Sequence, residues 1–176
     1  GHAVRAAYLY TAMAQVDGLT GLNEYTKALN SIWTNLVTTR MHITGGLGAV
    51  EGMEGFGAPY ELPNLTAYNE TCAAVANVFF NYGMYLDSGD AKFLDIAELS
   101  LFNNSLAGIN LHGDRFFYVN PLEADGVRRF NHGNGGRAKW FGCACCPPNI
   151  SRLILQVPGY MYAYSKEIGR ASCRER

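Results

Sequence analysis

Three of the five cysteines in this chain fall within four residues, in the run Trp140-Phe-Gly-Cys-Ala-Cys-Cys-Pro-Pro-Asn149. Cys145 and Cys146 are adjacent and followed by two prolines. Adjacent cysteines form a mutual disulfide only under strain. A vicinal pair with a stiff proline stop behind it therefore reads as a metal or nucleophile site. A second cluster lies upstream in Tyr68-Asn-Glu-Thr-Cys72. Glu70, Cys72, Cys145 and Cys146 together offer one carboxylate and three thiolates. That count fits four-coordinate zinc, which accepts sulfur and oxygen ligands, and soft thiolates argue against magnesium or calcium. The spacing is not that of a zinc finger, because a second Cys-x-x-Cys and a His-x-x-x-His are both missing. Taken alone, Cys72 also reads as a small apolar residue of a buried helix. The Gly, Ala and Pro neighbours of Cys145 and Cys146 signal a turn instead.

The elements that must position these groups follow from apolar periodicity. Residues Ala3 to Val16 read as a helix. Leu22 to His42 reads as a longer one, with Tyr25, Leu29, Trp33 and Leu36 on one face. Thr44-Gly-Gly-Leu-Gly48 breaks it, and an irregular segment from Ala49 to Leu65 carries Glu51, Glu54 and Glu61. A loop of that length inside a compact domain is usually functional. Thr66 to Asp87 returns to helix and is apolar nearly all round in its middle, which marks an inner helix. Asp90 to Ile109 reads as a further helix with Asp90 as N-cap. Arg115 to Asn120 reads as a short strand ended by Pro121, and Asn149 to Tyr164 as a last helix that Pro158 kinks or ends. Residues two apart on a helix do not face each other. Glu70 and Cys72 can share one ion only if Asn69–Cys72 is extended or turn-like, or the first helical turn is bent. The fold class expected is mainly α, built of helix hairpins, with one or two short strands.

Composition excludes several functions. The net charge is −1, with no basic patch or charge run, so neither nucleic acid nor an anionic membrane surface is an expected partner. No apolar stretch reaches membrane-spanning length and no signal peptide is visible. The 11 Tyr, 9 Phe and 2 Trp suit a large core or a carbohydrate-type pocket. The chain opens inside a helical pattern without an initiating Met, which is expected of an internal piece of a longer protein. Residues 167–176, rich in arginine and without an apolar face, match what a common sequencing adapter encodes when translated. They are expected to be a non-native tail, which removes Cys173 from consideration.

Seven motifs in order carry a family resemblance: Gly-His-Ala-Val-Arg, Thr-Gly-Gly-Leu-Gly, Glu-Gly-Phe, Tyr-Glu-Leu-Pro-Asn, Ala-Tyr-Asn-Glu-Thr-Cys, Phe-Phe-Tyr-Val-Asn-Pro-Leu-Glu and Trp-Phe-Gly-Cys-Ala-Cys-Cys-Pro-Pro-Asn-Ile. The resemblance they carry runs from His2 to about Ser165. The chain resembles the β-L-arabinofuranosidases of glycoside hydrolase family 127 and the related family 146. The resemblance implies an (α/α)6-barrel catalytic domain, of which residues 1–166 would be about the second half, within a protein several times longer. It also implies retaining hydrolysis with a zinc-bound cysteine thiolate as nucleophile. Carried over by motif, Cys145 is the nucleophile, Glu70, Cys72, Cys145 and Cys146 hold Zn2+, and Glu54 is the general acid/base. His2, Glu98 and Tyr118 match positions that line the sugar pocket, and Cys143 is left as a structural or spectator thiol, close enough to serve as a zinc or redox substitute.

The chemistry implied is coherent. Most retaining glycosidases use two carboxylates. A thiol can replace one of them if metal coordination keeps it ionised. The partner expected is a small-molecule carbohydrate, an L-arabinofuranoside, with a homodimer left open for the full-length protein. Localisation, cytoplasmic or periplasmic in a bacterium, is left open as well. Two rival readings remain: a helical protein with a structural zinc or thiol site, and a non-catalytic carbohydrate-binding protein. A structural clasp does not need Glu54, His2, Glu98 and Tyr118 around one pocket, and a binding protein could dispense with Glu54 or Cys145.

Overall fold

The computed structural model describes residues 1–164 and 169–171. Five α-helices carry the fold: α1 (Ala3–Thr20), α2 (Thr26–Thr39), α3 (Thr71–Ser88), α4 (Ala91–Ser100) and α5 (Cys146–Gln156). Two short strands, β1 (Tyr162–Tyr164) and β2 (Gly169–Ala171), pair antiparallel with Ala163 opposite Arg170. The expected non-native tail lies outside the described residues apart from the backbone of Gly169–Ala171, and Cys173 lies outside them entirely.

Helix α3 is the hub, packing against α1, α4 and α5. Its first half is buried on every side: Thr71 through Val78 are all inside. The α1 face buries Ala3, Ala7, Thr11, Ala14 and Asp17, a stripe at spacings of three and four. Small residues set the approach of the two helices. Ala3 and Ala7 pack with Ala73 and Ala76, and a Cβ added at Gly83 would sit 3.4 Å from the Ala14 methyl. Short side chains let helix axes come close. The fully buried Asp17 then caps the next element: its carboxylate accepts from the Tyr25 amide at 3.0 and 3.1 Å and from the Thr26 hydroxyl at 3.0 Å. It thereby satisfies donors that the start of α2 would otherwise leave unpaired.

Several expected boundaries shift, each for a local reason. α3 begins at Thr71, five residues later than its apolar pattern suggested, because Asn69 is left-handed (φ 44°) and Glu70 is extended (φ −65°, ψ 136°). α4 starts as expected, with the Asp90 side chain accepting from the Lys92 amide, but ends at Ser100. The chain continues as a π-helical turn (Leu101–Ser105) and a 3-10 turn (Leu106–Gly108). α5 begins at Cys146, three residues earlier than expected, since proline is at home in the first helical turn. It ends before Pro158.

The strand expected over 115–120 is not a regular strand. Phe116 bridges Ile109 and Ala138, while Val119 bridges Glu70. The reason is Asn131, whose side-chain oxygen accepts from the Tyr118 amide at 2.8 Å and the Val119 amide at 3.3 Å. A side chain stands where a neighbouring strand would have to run.

Candidate active site and metal centre

The N-termini of α1, α3 and α5 converge on one cavity of about 680 Å3. Helix N-termini present free amides and the positive end of the macrodipole, so their convergence favours anionic groups. His2 is the N-cap of α1, Glu70 the N-cap of α3, and Cys145 the N-cap of α5. The sequence thus delivers its chemistry at three helix starts, held together by loop hydrogen bonds. The Ala3 amide donates to the Glu54 carbonyl at 3.0 Å, tying the 51–54 turn to α1. The Thr71 amide donates to the Tyr118 carbonyl at 3.0 Å and its hydroxyl to the Phe117 carbonyl at 2.8 Å, tying α3 to the 116–119 segment.

Glu70, Cys72, Cys145 and Cys146 come together, their ligand atoms all within 4.8 Å of one another. The Cys72 and Cys146 sulfurs are 3.3 Å apart, and those of Cys145 and Cys146 are 3.7 Å apart. Both Cys145 and Cys146 lie 3.6 Å from Glu70 Oε1. The requirement that Glu70 and Cys72 not sit on one regular helix is met by placing Glu70 ahead of the helix and Cys72 on its first turn. Only Cys145 is partly open to solvent; the other three are buried.

Four acidic groups confined in this way resist ionising together. Burial and the neighbouring Cys145 charge push the Glu70 carboxyl up to about 8. Burial drives the Cys146 thiol upward too, and Cys72 follows mainly through its hydrogen bond to Cys145. The Cys145 thiol is instead held far below the usual thiol range by hydrogen bonds from Cys146 and Cys72. A cation is what would let all four ionise. Glu70 Oε2, buried and without a hydrogen-bond partner among the described residues, is a second sign that the site is built around something. The cluster is compatible with a metal site.

Around the cluster, Glu54 and His2 form a pair, His2 Nε2 standing 3.2 Å from Glu54 Oε2. Glu54 sits at the end of a 3-10 turn in left-handed backbone (φ 50°) and lines the same cavity as Cys145. The turn is fixed from its other side by Arg128, which donates to Glu51 at 2.8 Å and to the Leu65 carbonyl at 2.6 Å. Tyr118 lines the cavity as well, and burial with its hydrogen bond to Cys145 pushes its hydroxyl above the ordinary range. Glu98 is not brought to the cavity. It lies exposed on α4, between the inward-facing Ala97 and Ser100. Helical phase turns it away from α3.

Sequence reasoning passed over other residues of the wall. Tyr8, Asn149 and Arg152 line the cavity and form one network, with the Tyr8 hydroxyl donating to Asn149 Oδ1 at 3.0 Å and Arg152 donating to both. His132 lines it too, as does Cys143, the thiol already noted beside the pair in the sequence. The only signal for Asn149 and Arg152 was their place within two turns after the cysteines.

Comparison with known proteins gives a consistent result. The family model for the β-L-arabinofuranosidase GH127 catalytic domain matches residues 1–159. A non-reducing end β-L-arabinofuranosidase of Bifidobacterium longum subsp. longum is 44% identical over 166 residues, which are 92% of this chain and 25% of that protein. A solved GH127 β-arabinofuranosidase is 51% identical with a TM-score of 0.87, over 93% of this chain and 25% of its own. A GH127 β-L-arabinofuranosidase from Geobacillus stearothermophilus T6 is 41% identical with a TM-score of 0.91, over 98% and 28%. The chain spans about a quarter of the length of these relatives. Its mainly helical fold is accordingly a partial (α/α)6 barrel.

Proposed function

Because the chain belongs to the GH127 β-L-arabinofuranosidase catalytic-domain family, we propose that it forms about the second half of the catalytic barrel of a retaining glycoside hydrolase acting on β-L-arabinofuranosides. Residues 1–166 are the barrel portion in this reading, and 167–176 are foreign to it. The observation that carries the proposal is a single cavity lined by Cys145, Glu70, Cys72, Glu54, His2 and Tyr118. A structural clasp needs four ligands, but it needs neither the Glu54–His2 pair nor a tyrosine facing the most exposed of its thiols.

The ion is proposed to be zinc. A tetrahedral zinc with sulfur at about 2.3 Å keeps its sulfurs about 3.8 Å apart, against 3.7 Å between Cys145 and Cys146 and 3.3 Å between Cys72 and Cys146. Zinc held by Glu70, Cys72, Cys145 and Cys146 would keep the three thiols ionised at neutral pH.

The chain's own residues then do the following. Cys145 Sγ attacks the anomeric carbon, and Glu54 gives its proton to the departing glycosidic oxygen. The bond to the leaving group breaks as the carbon–sulfur bond forms. Glu54, now a carboxylate, takes a proton from water; the water oxygen bonds to the anomeric carbon and the carbon–sulfur bond breaks. Two inversions give net retention. His2, with Nε2 3.2 Å from Oε2 of Glu54, holds the carboxyl in place between the two steps. Tyr118 donates to the Cys145 sulfur and steadies its charge when the sugar leaves.

The test is hydrolysis of p-nitrophenyl β-L-arabinofuranoside by the full-length protein carrying this chain, with metal content measured in parallel. Glu54→Gln is expected to keep its metal and lose about 10²- to 10⁴-fold in kcat. Cys145→Ser is expected to lose turnover altogether. Full activity in Cys145→Ser would refute the proposal.

A further inference from the structure

His132 has no assigned part in this chemistry, yet it stands in the same cavity as Cys145 and Glu54. Its backbone is left-handed (φ 48°), a region that histidine, asparagine and aspartate enter more readily than most side chains. The residue before it explains how it is held there. Asn131 is completely buried, and its side chain is saturated: the oxygen accepts from the Tyr118 and Val119 amides, and the nitrogen donates to the Phe116 carbonyl at 3.2 Å and the Gly136 carbonyl at 2.8 Å. Three of these bonds fasten the 131–136 turn to the segment carrying Tyr118, and the fourth, to Gly136, closes the turn on itself. The imidazole of His132 then packs against the Tyr118 ring at a tilt of 52°, centroids 4.3 Å apart, and meets the Phe141 ring edge-on at 5.8 Å. Neither of its ring nitrogens hydrogen-bonds another described residue. A buried scaffold thus ends in a rigid, exposed ring with free polar atoms, one ring away from the tyrosine that touches Cys145.

The geometry points to His132 as a substrate-contacting residue that hydrogen-bonds a sugar hydroxyl in the cavity. This rests on the glycosidase reading above. The ring packs on an aromatic neighbour, so its conformational freedom is spent before substrate arrives, and contact with a sugar adds binding without further ordering. The contribution is to holding the sugar, not to proton transfer, because Glu54 and its partner His2 already occupy that role.

The experiment compares kcat and KM of wild type, His132→Gly and His132→Asn in the full-length protein, with metal content checked in each. Glycine enters left-handed backbone freely, so His132→Gly removes the ring without straining the turn. His132→Asn preserves the backbone and a shorter polar group should glycine loosen the segment. The glycoside is p-nitrophenyl β-L-arabinofuranoside, or, if wild type does not cleave it, whichever glycoside of a panel it does. The expected result is a KM raised roughly three- to tenfold in His132→Gly, the loss of one hydrogen bond, with kcat and metal content near wild type. The inhibition constant of free L-arabinose, or of the matching free sugar, should rise in step. A KM within twofold of wild type in both variants overturns the inference, as does a fall in kcat alone, which marks a role through Tyr118. A wild type inactive on every glycoside overturns the inference together with the function it rests on, whereas a change of sugar overturns only the β-L-arabinofuranoside assignment.

Discussion

At the scale of single residues, the site depends on backbone that few side chains adopt. Glu54, Asn69 and His132 are all left-handed, and each is at or beside a group with a proposed role. Such positions persist where the surroundings over-determine them. Asn69 is the clearest case. It donates to the Asn120 carbonyl at 2.7 Å, accepts from Asn104 at 3.1 Å, and takes the Gly48 carbonyl on its amide at 2.7 Å. Gly46 passes so close that a Cβ there would fall 1.9 Å from Asn69 Oδ1. Glu70 is the next residue, so Asn69 aims it. Asn69→Gly keeps the backbone conformation and the amide bond to Gly48 but removes the two side-chain bonds, and should weaken metal binding about ten- to hundredfold, as outer-shell losses do. Competition against a chromophoric chelator reads this directly. Glu70, Cys72, Cys145 and Cys146 were legible in the sequence because cysteine and carboxylate chemistry restricts what such a cluster can do. Asn69 and Asn131 were not, because nothing in a residue's type announces which distant groups its side chain will bond, and His132 was not, because its place rests on packing against Tyr118 and Phe141.

At the scale of elements, apolar periodicity located the five helices of the described residues and the starts of α1 and α4, but not the starts of α2, α3 and α5. The interior of α3 is unmistakable, whereas its first residue is set by Asn69 and by bonds to Tyr118 that no local pattern carries. The same limit misplaced the segment 115–120, whose residues suit a strand while the Asn131 side chain takes the edge. The turn between α2 and the functional loop carries a pH signature. His42 is 2% exposed and its Nε2 has no partner among the described residues. Burial lowers its pKa from the ordinary 6.5. The unfolded chain therefore takes up this proton first as pH falls, so the His42 contribution to stability is complete above 6.5 and is lost progressively below it. The melting temperature of the full-length protein is expected to fall as pH drops from 7 toward 5, and His42→Leu should reduce that slope. An equal slope in the variant would assign the effect to other groups.

At the scale of the whole molecule, three helix starts from distant parts of the chain meet at one cavity, and α3 is the common wall. That arrangement explains why the site could be anticipated from motifs in order while its walls could not: Tyr8 on α1 and Arg152 on α5 are 144 residues apart, joined by a 2.7 Å bond. The central claim is that Cys145 carries the sugar during turnover. The most direct measurement is an intact mass spectrum of the full-length protein, acid-quenched during hydrolysis of p-nitrophenyl β-L-arabinofuranoside, followed by peptide mapping. The account predicts one added anhydropentose per chain, on the peptide containing Cys145, absent without substrate and absent in Cys145→Ala. Steady turnover with the sugar on another residue, such as Glu54, or the same adduct in Cys145→Ala, would contradict it.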